Sequence, residues 1–105
     1  MKDKALNMLG MAARAGEVCS GEFAVEKSVK SGEAVLVLIA TDGSDNTRKK
    51  FRNMCAFYDV PFVEYATKDT LGHAIGKDQR SSVSITDVGL AKAIRNNMES
   101  FQSES

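Results

Sequence analysis

A chain of 105 residues with 43% hydrophobic side chains is long enough for one domain with one core and too short for two. Its 14 basic and 14 acidic side chains cancel, which excludes a strongly basic tail; any site for a polyanion must come from local clustering of Lys and Arg. The longest uninterrupted apolar run, residues 34–40, is too short to cross a bilayer, and Lys2, Asp3 and Lys4 open an amphipathic stretch rather than a signal peptide, so a cytoplasmic protein is expected.

Leu6, Leu9, Ala12 and Ala13 recur at helical spacing and predict a first helix from about Lys2 to Ala15, stopped by Gly16. Cys19 follows in a short extended piece, residues 18–20. It has no Cys-x-x-Cys partner, nor has Cys55, and His73 is the sole histidine. Neither a zinc site nor a disulfide framework is indicated, and no metal or cofactor is expected.

Between Gly21 and Gly32 a second helix is predicted whose two sides differ. At about 100° per residue Ala24, Val25, Ser28 and Val29 fall on a core side, while Phe23, Lys27 and Lys30 fall together opposite them. That outer side sets an aromatic ring and two ammonium groups near the helix end whose free N–H groups attract anions.

Residues 34–40, β-branched and leucine-rich without alternation, read as a strand buried on both faces and as the centre of a sheet. Asp42, Gly43 and Ser44 form a turn with an N-cap. The helix after them places Thr47, Phe51, Met54, Cys55 and Tyr58 on one side and Arg48, Lys49, Lys50 and Arg52 on the other. Residues 60–65 make a second strand, with Pro61 at its start. Thr67 caps a short helix through Leu71, Ala74 and Ile75, closed by Gly76. A polar loop over 77–81 feeds a strand at 82–86, whose alternation points Val83 and Ile85 inward. Asp87 then caps a last helix carrying Leu90, Ala91, Ile94 and Met98, followed by a frayed tail over 101–105.

Alternating elements of this kind predict a single α/β domain, a three-layer α/β/α sandwich around a mixed sheet of about four strands. The loops around Gly21, Asp42 and 77–82 are expected to gather at one end of that sheet, where open α/β sheets bind their ligands.

Catalysis finds little support. His73 lies off the apolar face of its short helix and reads as a solvated side chain, and the Ser and Asp residues of the turns are accounted for by capping. Neither a dinucleotide fingerprint nor a Walker-type Gly-Lys-Ser/Thr occurs. Nucleic-acid recognition fits better, since Lys, Arg and helix N-termini meet phosphates and aromatic surfaces meet unstacked bases. Phe23, Lys27 and Lys30 supply such groups on one helix, with Arg80, Ser81 and Ser82 in a neighbouring loop. A pair of lysines on a solvated face and an isolated exposed Phe are also ordinary surface features. The run Arg48, Lys49, Lys50 and Arg52 reads as a solubilising face that could extend a phosphate-binding surface.

The ordered set Leu9-Gly10-Met11-Ala12-Ala13-Arg14-Ala15-Gly16, Ser20-Gly21-Glu22, Ala40-Thr41-Asp42-Gly43-Ser44-Asp45-Asn46-Thr47-Arg48-Lys49-Lys50-Phe51, Val60-Pro61 and Leu71-Gly72-His73-Ala74-Ile75-Gly76-Lys77 resembles the bacterial YlxQ-type branch of the ribosomal protein L-seven-Ae (L7Ae) superfamily, from about Leu6 to Ile94. The resemblance implies an α/β/α sandwich and non-enzymatic RNA binding. The family's best-known target is the kink-turn, a bent helix with sheared G·A pairs. It implies structured RNA as partner, ribosomal or otherwise kinked, with ribosomal or translation-associated proteins nearby and no membrane or metal. In that family a Gly opening the second helix, an Asn-Glu pair after it and a Lys further along face the RNA, while a loop before the last strand covers a flipped-out base. Gly21 and Lys27 match, and Lys77, Arg80, Ser81 and Ser82 fall in the loop; Glu22 and Lys30 join them as RNA-site candidates. Phe23 and Ala24 stand in place of the Asn-Glu pair. Phe and Ala cannot reproduce a hydrogen-bonding pattern against guanine edges, each such contact being worth about 1–3 kcal/mol, so altered base recognition is expected. A stacked Phe23 would contribute about as much. The other reading of the same surface is a protein–protein adaptor with Phe23 as anchor and the basic helix around Arg48 as rim.

Overall fold

The computed structural model describes residues 3–104, and the side chains of residues 3–98. Five helices and four strands alternate along the chain: α1 (Lys4–Arg14), β1 (Val18–Ser20), α2 (Glu22–Lys30), β2 (Leu36–Ile39), α3 (Asp45–Tyr58), β3 (Phe62–Glu64), α4 (Lys68–Ala74), β4 (Ser82–Ile85) and α5 (Val88–Glu104). Helix α1 opens at Lys4 rather than Lys2, because Asp3 is in extended conformation and its carboxylate accepts from the Leu6 N–H at 3.1 Å. Lys2 itself lies outside the described residues. Ser44 and Thr67 cap α3 and α4 through the N–H groups of Thr47 and Thr70. The stretch 101–104, expected as a tail, falls within the backbone range of α5.

The sheet has the order β1-β4-β2-β3 and is mixed. β4 pairs antiparallel with both β1 and β2, and β2 runs parallel to β3. Two cores follow from two covered faces. Leu36, Leu38, Val83 and Ile85 face Leu9, Leu71 and Ile94 of α1, α4 and α5. Val37 and Ile39 face Val25, Val29, Phe51 and Cys55 of α2 and α3. The three-layer sandwich is as the alternation of elements predicts.

Strand β4 is buried on both faces rather than one. Only Val83 and Ile85 are expected inside, yet Ser82 and Ser84 are buried as well, since helices cover both faces. Ser84 lies opposite Val37 and Ser82 opposite Ile39, on the α2–α3 face. Ser84 Oγ is 2.8 Å from Ser28 Oγ, whose hydroxyl donates to the Val25 carbonyl at 2.7 Å. A hydroxyl has one proton, so Ser84 is the donor in the Ser84–Ser28 bond. Tyr58, assigned to the core side of α3, is 41% exposed because it lies beyond Cys55 at the helix end.

Candidate nucleic-acid interface

Because β1 and β2 run opposite to β4, the C-terminal ends of β1, β2 and β3 and the start of β4 share one end of the sheet. Four loops meet there and are joined by hydrogen bonds. The Gly21 N–H donates to the Ser82 carbonyl at 3.1 Å, Ala40 N–H to Ser81 O at 2.9 Å, Thr41 N–H to Ala66 O at 2.8 Å, and Arg80 N–H to Lys68 O at 3.1 Å. The Asp42 carboxylate accepts from the Lys68 N–H at 2.8 Å, and Arg80 Nε reaches Ser20 Oγ at 3.4 Å. The expected gathering of the loops around Gly21, Asp42 and 77–82 is therefore present.

Gly21 has φ +91° and ψ 152°, a conformation that a residue with a Cβ rarely adopts. It makes the turn from β1 into α2 without a capping side chain, so the first N–H groups of α2 remain without a side-chain partner. Phe23, just inside this end, is 81% exposed. Lys27 is exposed and forms no ion pair among the described residues; it and Lys30 stand in the last turn of α2, not at the N-terminal end where the sequence sets them, so only Phe23 of the three lies beside the free N–H groups. Phe23, Lys27 and Lys30, together with Glu26 and Ser31, line an open depression of about 470 Å³. Ala24, expected in the core, is half-buried; the core side of α2 is Val25, Ser28 and Val29.

The charged neighbours are less free. Lys30 Nζ lies 2.8 Å from Glu26, and Lys50 of α3 reaches Glu22 and Glu26, each at 2.8 Å. Hydrogen bonds from Lys30 and then Lys50 hold the Glu26 carboxyl down at about 2. Glu26 in turn raises Lys30, and Glu22 followed by Glu26 raises Lys50. Glu22 is thus tied sideways to α3. The basic run of α3 divides among its neighbours. Arg48 pairs with Asp45 and with Glu64 of β3, Arg52 with Glu64 at 2.9 Å and Lys50 with α2, leaving Lys49 exposed and unpaired among the described residues.

In the loop, Lys77 is exposed, Arg80 and Ser81 are half-buried, and Lys77, Asp78 and Gln79 border a second depression of about 560 Å³ with Asp69, Thr70 and His73. His73 is exposed, as its helical phase predicts. Ser82 does not belong with the loop. It opens β4, is 1% exposed, and its Oγ has no partner, so its hydroxyl is not offered at the surface. Asp42, whose carboxylate the sequence accounts for by local capping, instead joins two loops through the Lys68 N–H, and Phe57, on α3 and outside these loops, is an 81% exposed ring that the sequence does not single out.

The model of the Ribosomal protein L7Ae/L30e/S12e/Gadd45 family matches residues 3–95. The chain is 41% identical over 87 residues to the RNA-binding protein YlxQ of Bacillus subtilis, covering 83% of this chain and 87% of that one. To the Enterococcus faecium protein of the same name it is 34% identical, with 93% and 94% covered. Among solved structures, a protein of unknown function from Bacillus halodurans superposes with a TM-score of 0.90 at 33% identity, covering 93% of this chain and 99% of that one. The Giardia lamblia 15.5kD RNA binding protein shares the fold, with a TM-score of 0.77 at 22% identity over 98% and 92% of the two chains. No helix among the described residues is long and apolar enough to cross a membrane. The chain belongs to the ribosomal protein L7Ae family, in its YlxQ branch.

Proposed function

We propose that this protein is a non-enzymatic, cytoplasmic RNA-binding protein that holds structured, kinked RNA, ribosomal RNA among the candidates, against the end of the sheet where Gly21 and the 77–81 loop meet. The observation that carries this reading is Lys27: an exposed ammonium with no ion pair among the described residues, on the helix whose uncapped N-terminus begins at Gly21. Helix N–H groups and Lys27 take phosphates, and Lys77 and Arg80 add cations from the loop. Its relatives' name, RNA-binding protein, supports the class of ligand.

Base recognition differs from a guanine-reading site. Phe23 offers a ring face rather than hydrogen bonds, so an unpaired base stacked on it replaces contacts to G·A edges. Glu22 and Lys30 flank the site but are held by Lys50 and Glu26, and they act by positioning charge more than by direct contact. The adaptor reading keeps Phe23 as an anchor but loses its rim, because Arg48 and Arg52 are turned into Glu64.

The test is a binding comparison of kink-turn RNA, plain duplex and ribosomal RNA at two salt concentrations. A structured RNA bound more tightly than duplex, with affinity falling as salt rises, is expected. Absence of binding to all three at low salt overturns the proposal.

A further inference from the structure

We infer, on the basis of the RNA-binding reading above, that the outer surface shared by α2 and α3 is a track for a single-stranded RNA segment leaving the element held at the Gly21 end. β1 and β2 are parallel to each other, since both run opposite to β4, and α2 and α3 follow them on one face of the sheet. The two helices therefore lie side by side in the same direction. Lys50 sets their register by touching Glu22 and Glu26. Phe57 and Tyr58 come about two turns later on α3, level with Lys30 at the end of α2.

This places rings at both ends of one surface. Phe23 and Phe57 are each 81% exposed, and Phe57 meets Tyr58 edge-on, with centroids 4.9 Å apart and planes at 78°, which leaves a face of Phe57 open. From Phe23 to the level of Lys30 the helical rise is about 10 Å, a span that a few nucleotides cover. Lys27, Lys30, Lys49 and Lys50 lie between, against two carboxylates, Glu22 and Glu26, already occupied by Lys30 and Lys50. Among these six side chains the uncompensated charge is cationic, while Glu33 and Asp59 follow Lys30 and Phe57 in the chain as exposed carboxylates. Aromatic faces alternating with ammonium groups are the parts of a sequence-tolerant single-strand site. Continuity with the Gly21 end and the excess of lysine favour RNA over a protein occupant, whose apolar contact with the rings would bring those ammonium groups against it.

The test takes whichever RNA the preceding comparison retains, kink-turn or ribosomal, with and without a short oligouridine extension at either end. It measures binding to the wild type and to Phe57→Ser, which removes an exposed ring and leaves the cores untouched. One extension is expected to tighten wild-type binding about fivefold or more. Phe57→Ser should abolish that gain while binding the unextended RNA as the wild type does. If the unextended RNA binds but neither extension tightens it, or the gain survives in Phe57→Ser, the track is overturned and the RNA-binding reading stands. If Phe57→Ser weakens the unextended RNA equally, the track is also overturned. Failure of every RNA to bind refutes the function itself.

Discussion

Gly72 of α4 lies directly beneath the peptide of Asp78: a Cβ on Gly72 would stand 2.6 Å from the Asp78 carbonyl carbon and 3.1 Å from Gln79 Cα. Backbone cannot yield there as a flexible side chain would. The Lys77 N–H also donates to the Gly72 carbonyl at 2.8 Å, so the candidate loop is seated on this glycine. Gly72→Ala should lift the loop, cost about 1–3 kcal/mol of stability, and weaken RNA binding at temperatures where the variant remains folded. Denaturant unfolding and an RNA titration on the same preparation check both effects. An unchanged affinity would remove the 77–81 loop from the interface.

Lys27→Ala separates binding from folding, since no ion pair among the described residues is lost. Stability should stay within about 0.5 kcal/mol of the wild type. The slope of log affinity against log salt should fall by about one for the lost phosphate contact. Lys30→Ala, which breaks the pair with Glu26, should perturb the slope less.

The outward face of α2 is legible from phase alone, because one helix of nine residues defines it: Phe23, Lys27 and Lys30 are all exposed. The buried run of β2 is legible for the same local reason. What α3 does with its cations is not. Arg48 and Arg52 are four apart and turn together to Glu64, while Lys50 turns to α2; the neighbours on either side exist only once β2 lies between β4 and β3. Ser82 and Ser84 mislead because alternation identifies the apolar face of a strand but not whether a helix covers the polar one. The positive φ of Ala66 leaves no mark in the sequence.

The buried hydroxyl pair yields a coupled prediction. Ser28→Ala leaves the Ser84 hydroxyl buried without an acceptor and should cost about 1–3 kcal/mol. Removing Ser84 as well removes the orphaned group, so the double variant Ser28→Ala with Ser84→Ala should be less destabilised than the sum of the singles. A double-mutant cycle in urea measures this, and strict additivity would show that the two hydroxyls do not interact.

Acid should weaken the α2–α3 contact in a defined window. Lys30 and Lys50 hold Glu26 from an ordinary 4.5 down to about 2. The folded state therefore binds this proton less readily than the unfolded chain. The stabilisation is complete above about 4.5 and is lost as pH falls toward about 2. Glu26→Gln should flatten the dependence of the unfolding midpoint on pH in that interval, and added salt should reduce the difference between the two proteins. Parallel pH curves would mean that the carboxylate titrates alike in both states.

Ala66, with φ +65°, holds a left-handed conformation that disfavours a side chain, at the point where its carbonyl accepts from both Thr41 N–H at 2.8 Å and Thr41 Oγ1 at 2.9 Å. Those two bonds keep the turn after β2 against the chain leading into α4. Ala66→Gly removes the Cβ and relieves the conformation, although glycine also gains freedom in the unfolded chain, so a net change of no more than about 1 kcal/mol is expected. Ala66→Val adds branching at the same φ and should cost about 1–3 kcal/mol. The expected order of thermal midpoints is therefore Gly at or above Ala, with Val lowest. A valine variant as stable as the wild type would show that residue 66 relaxes out of the left-handed region, and the two Thr41 bonds would then have to be lost with it.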